Sequence, residues 1–142
     1  MARRNEVWVV DDDRSIRWVL EKALQKGDMD VQSYSNAADV LAALASRRPD
    51  AIVSDIRMPG MDGLDLLARI RADHPDLPVI IMTAHSDLES AVSAYHGGAF
   101  EYLPKPFDIN EAVEQVRRAC RHRQAAGEAS AAQATRTPEL IG

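Results

Sequence analysis

The sequence predicts an α/β protein with a doubly wound, five-stranded parallel sheet in the order 2-1-3-4-5. Short apolar runs alternate with longer segments of helical periodicity, and five such units can be traced along the 142 residues. Strands joined by helices run parallel with right-handed crossovers, so that helices cover both faces. Five units are too few for an eight-unit barrel and suit the flavodoxin-like order, whose ligand crevice lies beyond the carboxyl ends of strands 1 and 3.

The five predicted strands are short apolar runs, and the more continuous ones are typical of strands buried on both faces. In chain order they are residues 7–10, 31–34, 51–53, 79–82 and 100–103. The second run matches a strand pattern least well. The fifth is expected to end where two prolines, at positions 104 and 106, interrupt the chain.

Each predicted strand is followed by a helix, which is recognised from apolar residues three and four apart and from capping residues. Gly27 is expected to cap the end of helix 1, Asn36 the start of helix 2, and Pro75 is expected to stop helix 3. Helix 4 is expected to open at the capping box Ser86–Glu89 and to run to about residue 95, and helix 5 is expected to follow Asp108.

Composition limits the classes of function. Lys and Arg total 17 against 22 Asp and Glu, which gives a formal net charge of −5. Nucleic-acid binding needs the opposite charge, so we expect none by this chain alone. Cys120 is the one cysteine, which excludes an internal disulfide and a Cys-based zinc site. Signal-peptide and membrane-spanning patterns are not seen, so cytoplasmic localisation without membrane contact is the expectation.

Residues 5–124 are expected to form the folded domain. Residues 125–138 are rich in Ala, with Gly, Ser, Thr and Gln, and have almost no large apolar side chain, which is typical of a flexible linker. Leu140 and Ile141 then follow with nothing to pack on. We expect residues 139–142 to be the start of a further domain, and the chain to be a fragment of a longer protein.

Polar side chains follow four of the predicted strands, at the edge of the sheet where the fold places its crevice. Three aspartates, 11–13, end strand 1, Asp55 ends strand 3, Thr83 follows strand 4 and Lys105 follows strand 5. Clustered carboxylates repel one another, and Mg²⁺ offsets this by binding carboxylates, water and phosphate oxygens. An Asp can form an aspartyl phosphate whose oxygens are stabilised by a metal, a Lys and N–H groups. The pattern predicts a phosphoryl site.

Four stretches, in their order along the chain, resemble the response-regulator receiver domains of two-component signalling. They are Val-Val-Asp-Asp at 9–12, Ser-Asp-Ile-Arg-Met-Pro-Gly-Met-Asp-Gly at 54–63, Met-Thr-Ala at 82–84 and Lys-Pro at 105–106. The resemblance implies that Asp55 accepts a phosphoryl group from a histidine kinase. It implies a signalling domain rather than an enzyme, with self-catalysed phosphorylation and dephosphorylation only.

The resemblance also implies roles for the residues around Asp55. Those that would hold Mg²⁺ are Asp12, Asp55, the backbone carbonyl of Arg57 and, through water, Asp11. Those that would bind the phosphoryl group are Thr83, the backbone N–H of Ala84, and Lys105. Asp13 takes the variable position after the acidic pair, and as an Asp after a strand it is expected to cap the first helix.

A two-state switch follows from the same resemblance, in which Thr83 moves toward the phosphoryl group and is coupled to Tyr102 and to helix 4. His85 and Arg57 occupy positions that influence how quickly the acyl phosphate hydrolyses in receivers. The alternatives are a half-buried edge-strand aromatic for Tyr102 and a solvated loop residue for His85. The apolar stripe of helix 4 is the expected output face, with core packing as its alternative. It consists of Leu88, Ala91, Val92 and Tyr95.

A narrower resemblance is to the receivers of nitrogen-regulation transcription factors of the NtrC family. It is carried by stretches such as Ser-Ile-Arg-Trp-Val-Leu-Glu at 15–21 and Gly-Ala-Phe-Glu-Tyr-Leu-Pro-Lys-Pro-Phe-Asp at 98–108. It implies an AAA+ ATPase domain and a DNA-binding domain after the receiver, and a sensor histidine kinase of the NtrB class as phosphodonor. It also implies a receiver homodimer or higher oligomer on activation.

Other functions with related chemistry are less well supported. A metal-dependent aspartyl-phosphate hydrolase typically has a second catalytic Asp two residues after the nucleophile, where this chain has Arg57, and it needs a cap that no insertion supplies. A flavin site needs a Ser/Thr/Gly-rich loop after strand 1, where three aspartates would repel a phosphate. A stand-alone receiver and this hydrolase remain as alternatives, whereas nothing supports a binding module without phosphorylation.

Overall fold

The computed structural model describes residues 5–84 and 87–123, which contain a parallel sheet in the order β2-β1-β3-β4-β5. The strands are β1 (Glu6–Val10), β2 (Asp30–Tyr34), β3 (Ala51–Asp55), β4 (Val79–Ala84) and β5 (Glu101–Lys105). The helices are α1 (Arg14–Lys26), α2 (Ala37–Leu44), α3 (Gly63–Asp73), α4 (Leu88–His96) and α5 (109–123). The predicted fold class and strand order are confirmed. The predicted linker (125–138), the predicted domain start (139–142) and His85 lie outside the described residues.

Alternate residues of the central strands point into two separate apolar layers. Trp8 and Val10 of β1 pack on one face, with α2 and α3, whereas Val7 and Val9 pack on the other, with α1 and α5. All five residues of Ala51–Asp55 are buried. The continuous apolar runs in the sequence therefore reflect strands that are covered on both faces, as is typical of parallel sheets. Within the described part of the chain, none of the helices has the length and apolar character that crossing a bilayer requires.

Two boundaries differ from those predicted. Strand β5 does not stop before its prolines, since Pro104 pairs in register with Thr83 and the strand ends at Lys105. As β5 lies at the edge of the sheet, a missing backbone N–H is tolerated there. Helix α4 is capped by Asp87, whose carboxylate accepts a hydrogen bond from the N–H of Ser90 at 3.3 Å. The predicted start of the capping box, Ser86, lies outside the described residues.

A hydrogen-bond network closes the amino-terminal end of β1. The Glu6 carboxylate accepts a hydrogen bond from the indole N–H of Trp8 at 2.7 Å and another from Arg47 Nη2 at 2.8 Å. Trp8 is fully buried, whereas the side chain of Arg47 is largely exposed. The Glu6 side chain therefore satisfies a buried donor on one side and a surface cation on the other.

We expect Glu6→Ala to lower the free energy of unfolding by about 1–3 kcal/mol, because it leaves the buried indole N–H of Trp8 without its acceptor. Arg47→Ala is the matched control, since it removes only the exposed ion pair and should cost less than about 1 kcal/mol. Denaturant titration of both variants measures the difference. Equal losses in the two variants would contradict this account of the network.

The thiol of Cys120 lies in the apolar layer between the sheet, α1 and α5. Burial, together with the nearby Asp50 carboxylate, raises the pKa of this thiol to about 12. A thiol reagent at pH 8 should therefore leave the folded protein unlabelled and should modify one thiol per chain in denaturant. Labelling of the folded protein at the rate of the denatured chain would show that the thiol is accessible.

The raised pKa has a consequence for stability, since the unfolded thiol ionises near its ordinary pKa of 9.0. The folded state retains the proton, so the contribution of Cys120 to stability is complete below pH 9 and is lost as pH rises toward 12. Comparison of Cys120→Ala with the parent chain across this pH range isolates that contribution.

Candidate functional site

Three carboxylates meet at the carboxyl end of the sheet, where the adjacent strands β1 and β3 end. One carboxylate oxygen from each of Asp11, Asp12 and Asp55 lies within 4.8 Å of the other two. Asp11 is fully buried and Asp55 is 9% exposed, whereas Asp12 is exposed. The cluster therefore has a dry inner side and a side that is open to solvent.

Lys105 joins the cluster from the end of β5. Its Nζ donates a hydrogen bond to Asp11 Oδ2 at 2.8 Å and lies 3.3 Å from Asp55 Oδ1. Burial alone would lower the pKa of Lys105, but the hydrogen bond and the charge of Asp11, and then those of Asp55, raise it above its ordinary value. The ammonium group therefore stays charged and offsets part of the repulsion between the two carboxylates.

The Asp55 carboxylate lies in an environment that disfavours its charged form. Burial raises its pKa, repulsion from Asp11 adds to the rise, and the charge and hydrogen bond of Lys105 oppose it. A further cation placed against the cluster would favour the ionised form of Asp55 and so strengthen it as a nucleophile or ligand. The cluster of three carboxylates and one ammonium therefore carries an excess of negative charge next to Asp55.

Asp13, the third of the consecutive aspartates, has the structural role that the sequence predicts. Its carboxylate accepts hydrogen bonds from the N–H groups of Ser15 and Ile16, at 2.8 and 3.4 Å, and caps α1. The N–H of Asp13 itself donates to Asp11 Oδ1 at 2.8 Å. The start of α1 therefore helps to fix the orientation of the buried Asp11 carboxylate.

Thr83 and Ala84 are the last two residues of β4, the strand that pairs with β3 beside Asp55. The register pairs Asp55 with Met82, so that Thr83 lies one residue beyond the partner of Asp55. The Thr83 side chain is buried, and its hydroxyl donates a long hydrogen bond, 3.3 Å, to the carbonyl of Ala84. A charged acceptor near Asp55 would offer this hydroxyl a stronger bond.

The loop 56–62 after β3 brings the first residue of α3, Gly63, directly against the backbone of Asp55. The sequence predicts no role for this glycine. The N–H of Gly63 donates to the carbonyl of Ile56 at 2.7 Å. A Cβ at position 63 would lie only 2.2 Å from the carbonyl oxygen of Asp55 and 2.8 Å from the Cα of Ile56. Because both clashes are with backbone, the close approach of α3 to the site requires glycine here.

Arg57 connects this loop to α4. Its Nη2 lies 3.0 Å from Oδ2 of Asp87, the residue that caps the helix. Hydrogen bonding from Ser90, and to a smaller extent from Arg57, lowers the pKa of the Asp87 carboxylate. Because these partners are 30 residues apart in sequence, no local sequence pattern predicts the ion pair. Beside it lies an open cavity of about 500 Å³, with Asp12, Arg57 and Ser90 in its lining.

The apolar stripe predicted on α4 divides between core and surface. Ala91 is buried, as core packing requires, but Leu88 is 69% exposed and Val92 and Tyr95 are each 47% exposed. Ala91 and Ala94 are the side chains that α4 buries. Ala91 is therefore not part of the exposed face, whereas the three larger residues are exposed and one of them, Tyr95, contacts Tyr102.

The sequence matches the family model described as response regulator receiver domain over residues 7–117. The chain belongs to the response regulator receiver family. Over 122 residues, 86% of this chain, it is 65% identical to the DNA-binding transcriptional regulator NtrC of Escherichia coli K12. The receiver domain covers only part of such regulators, and the chain spans 26% of that relative's length.

Two solved structures show the same receiver fold. The beryllofluoride-activated receiver domain of nitrogen regulatory protein C is 64% identical, with a TM-score of 0.74, and the match covers 87% of this chain and 99% of that one. The signal receiver domain of an HD domain-containing protein from Pseudomonas fluorescens Pf-5 is 32% identical, with a TM-score of 0.84 and coverage of 90% and 95%.

The acidic cluster of this receiver fits a hard divalent cation. Its three carboxylate oxygens converge within 4.8 Å of one another, and the exposed Asp12 leaves room for the waters that Mg²⁺ retains. The one described ammonium at the cluster, that of Lys105, contacts Asp11 and Asp55. A cation at the Asp12 side would complete the charge balance of the site.

We expect Gly63→Ala to weaken Mg²⁺ binding by about 10- to 100-fold, because it displaces the backbone of Asp55, one of the three clustered aspartates. Gly60→Ala in the preceding loop is the control. Gly60 has a φ of 78° and open space around it, so the variant should lose roughly 1–2 kcal/mol of stability without moving the site. Calorimetric Mg²⁺ titration of variants shown to be folded by circular dichroism measures the effect. Equal Mg²⁺ affinity in both would contradict the role of Gly63.

Proposed function

We propose that this chain is the phosphorylation-activated receiver of a two-component response regulator, with Asp55 as phospho-acceptor. One observation carries the proposal: the Asp55 carboxylate lies with Asp11 and Asp12 in one cluster and 3.3 Å from Lys105 Nζ, at the open end of the sheet. A nucleophilic carboxylate, acidic metal ligands and a fixed ammonium are the groups that phosphoryl transfer needs.

The residues proposed to hold Mg²⁺ are Asp12, Asp55, the backbone carbonyl of Arg57 and, through water, Asp11. When bound, the ion supplies positive charge to the transferred oxygens and the carboxylates. An oxygen of Asp55 then attacks the phosphorus of a phosphohistidine, the phosphorus–nitrogen bond breaks, and the imidazole leaves as the histidine of the kinase. Hydrolysis by water later returns the carboxylate and releases inorganic phosphate.

The residues proposed to bind the phosphoryl group are Thr83, the N–H of Ala84, and Lys105. Lys105 already contacts oxygens of two carboxylates and would turn to the transferred oxygens. The Thr83 hydroxyl would exchange its long bond to the carbonyl of Ala84 for a charged phosphoryl oxygen. This small movement on β4 is the proposed first step of the switch.

Tyr102 and α4 are the proposed next elements of the switch. The ring of Tyr102 meets the ring of Tyr95 nearly at right angles, with centroids 5.5 Å apart. A shift of Tyr102 after Thr83 would therefore reach α4 directly. The proposed output face is the exposed surface of Leu88, Val92 and Tyr95, without the buried Ala91. The role of His85 in the lifetime of the phosphoryl group stays a prediction.

The wider setting is proposed from the relatives. They are several times longer than this chain, and those of the NtrC class are DNA-binding transcriptional regulators. We infer a cytoplasmic, nitrogen-responsive regulator in which this receiver controls an AAA+ ATPase domain and a DNA-binding domain. A sensor histidine kinase of the NtrB class would supply the phosphoryl group, and receivers would associate on activation.

Intact mass after incubation with acetyl phosphate and Mg²⁺ tests this function. We expect a gain of about 80 Da, one phosphoryl group, which is absent without metal and in Asp55→Asn. Asp13→Asn is the matched control, since Asn also caps a helix and Asp13 is not a proposed ligand, so this variant should still be modified.

Three outcomes would overturn the proposal. An unmodified parent chain, or an equal adduct in Asp55→Asn, would exclude Asp55 as the acceptor. Sustained release of inorganic phosphate over many turnovers would instead indicate the aspartyl-phosphate hydrolase.

A further inference from the structure

Helix α4 has little apolar attachment to the rest of the domain. It buries Ala91 and Ala94, and its larger apolar side chains are on the surface. The helix ends at Gly97 and Gly98, which leave no further side chain to pack at its C-terminus. Apolar burial alone therefore holds α4 weakly, and polar contacts decide where its last turn lies.

Glu101, at the start of β5, supplies such a contact. One of its carboxylate oxygens accepts a hydrogen bond from the hydroxyl of Tyr95, in the last turn of α4, and another from the N–H of Tyr102 at 3.1 Å. Its other oxygen lies 4.0 Å from Nη2 of Arg118 on α5. A single carboxylate thus contacts α4, β5 and α5.

The chemistry of this bond makes it stronger than an ordinary surface contact. The Tyr95 hydroxyl donates to an ionised carboxylate, and such charge-assisted hydrogen bonds are stronger than those between neutral groups. Burial and the adjacent Glu101 raise the pKa of Tyr95 to about 12, so the hydroxyl keeps its proton at physiological pH. The ring of Tyr95 is also held edge-on against Tyr102.

We propose that Glu101 is the anchor of α4: it holds the last turn of the helix on β5 through the Tyr95 hydroxyl, and its release frees the helix to adopt the phosphorylated arrangement. The second half of this statement rests on the proposed function. Strand β5 would then contain a residue of the proposed phosphoryl site, Lys105, and, four residues earlier, Glu101, the anchor of α4.

The anchor and the phosphoryl site are linked thermodynamically. If α4 must leave Glu101 when Asp55 is phosphorylated, the bond opposes phosphorylation and phosphorylation opposes the bond to the same degree. A variant that lacks the bond starts nearer to the phosphorylated arrangement. It should therefore bind a phosphoryl analogue more tightly than the parent chain, although it lacks no residue of the binding site.

Amide hydrogen exchange without any phosphoryl analogue tests the anchor itself. The variants are Tyr95→Phe, which keeps the ring and removes the hydroxyl, and Glu101→Ala. Glu114→Ala is the matched control, because Glu114 pairs with Arg121 at 3.5 Å on the exposed side of α5 and the change in charge is the same.

We expect exchange over residues 88–96 to be about three- to tenfold faster in the first two variants, the effect of losing one hydrogen bond, and unchanged in the control. Unchanged exchange in α4 would overturn the anchor. So would faster exchange throughout the sheet, since that indicates general destabilisation.

Titration with beryllofluoride and Mg²⁺ tests the link to phosphorylation. Tyr95→Phe and Glu101→Ala should bind about three- to tenfold more tightly than the parent chain and Glu114→Ala. Faster exchange without tighter binding would leave an anchor that is separate from the switch and would overturn the second half of the proposal. Failure of the parent chain to bind beryllofluoride would count against the proposed function, while the exchange data would still decide whether Glu101 holds α4.

Discussion

The contact between Lys105 and the buried carboxylates is the constraint on which the site depends. Asp11 has no exposure to solvent and Asp55 has little, so their charges cannot be left without an opposite charge nearby. The ammonium of Lys105 bridges both from the end of β5. Strand β5 continues through Pro104 at the edge of the sheet and ends at Lys105, which brings the ammonium to the carboxylates.

The rest of the domain divides into rigid and weakly held parts around this contact. The central strands are buried on both faces, and Gly63 brings α3 against the backbone of Asp55, so the position of Asp55 is fixed. Helix α4 is different, since the side chains that it buries are two alanines. Among the described residues, side-chain contacts at its two ends join Asp87 to Arg57 and Tyr95 to Glu101. Elements that move in signalling come from the less stable parts of a fold, and α4 has that character.

Much of this architecture could be predicted because it depends on local pattern. The apolar runs and helix periodicity indicated the strand order, and the roles of Asn36 and Asp13 as caps followed from residue type. Two boundaries were predicted wrongly. The end of β5 depended on its position at the sheet edge, which the local sequence does not reveal. The start of α4 was ambiguous, because the adjacent residues Ser86 and Asp87 are both capable of capping a helix.

The sequence alone determined which chemical groups meet, because in a parallel sheet the residues that follow successive strands come together at one edge. Asp11, Asp12, Asp55, Thr83 and Lys105 could all be found in this way. Tertiary structure alone decided what each group touches. The Arg57–Asp87 and Tyr95–Glu101 pairs join separate elements, and Ala91 is buried while Leu88 is exposed only because α4 docks in one rotation. Side-chain contacts between elements depend on helix rotation and loop position, which residue spacing does not encode.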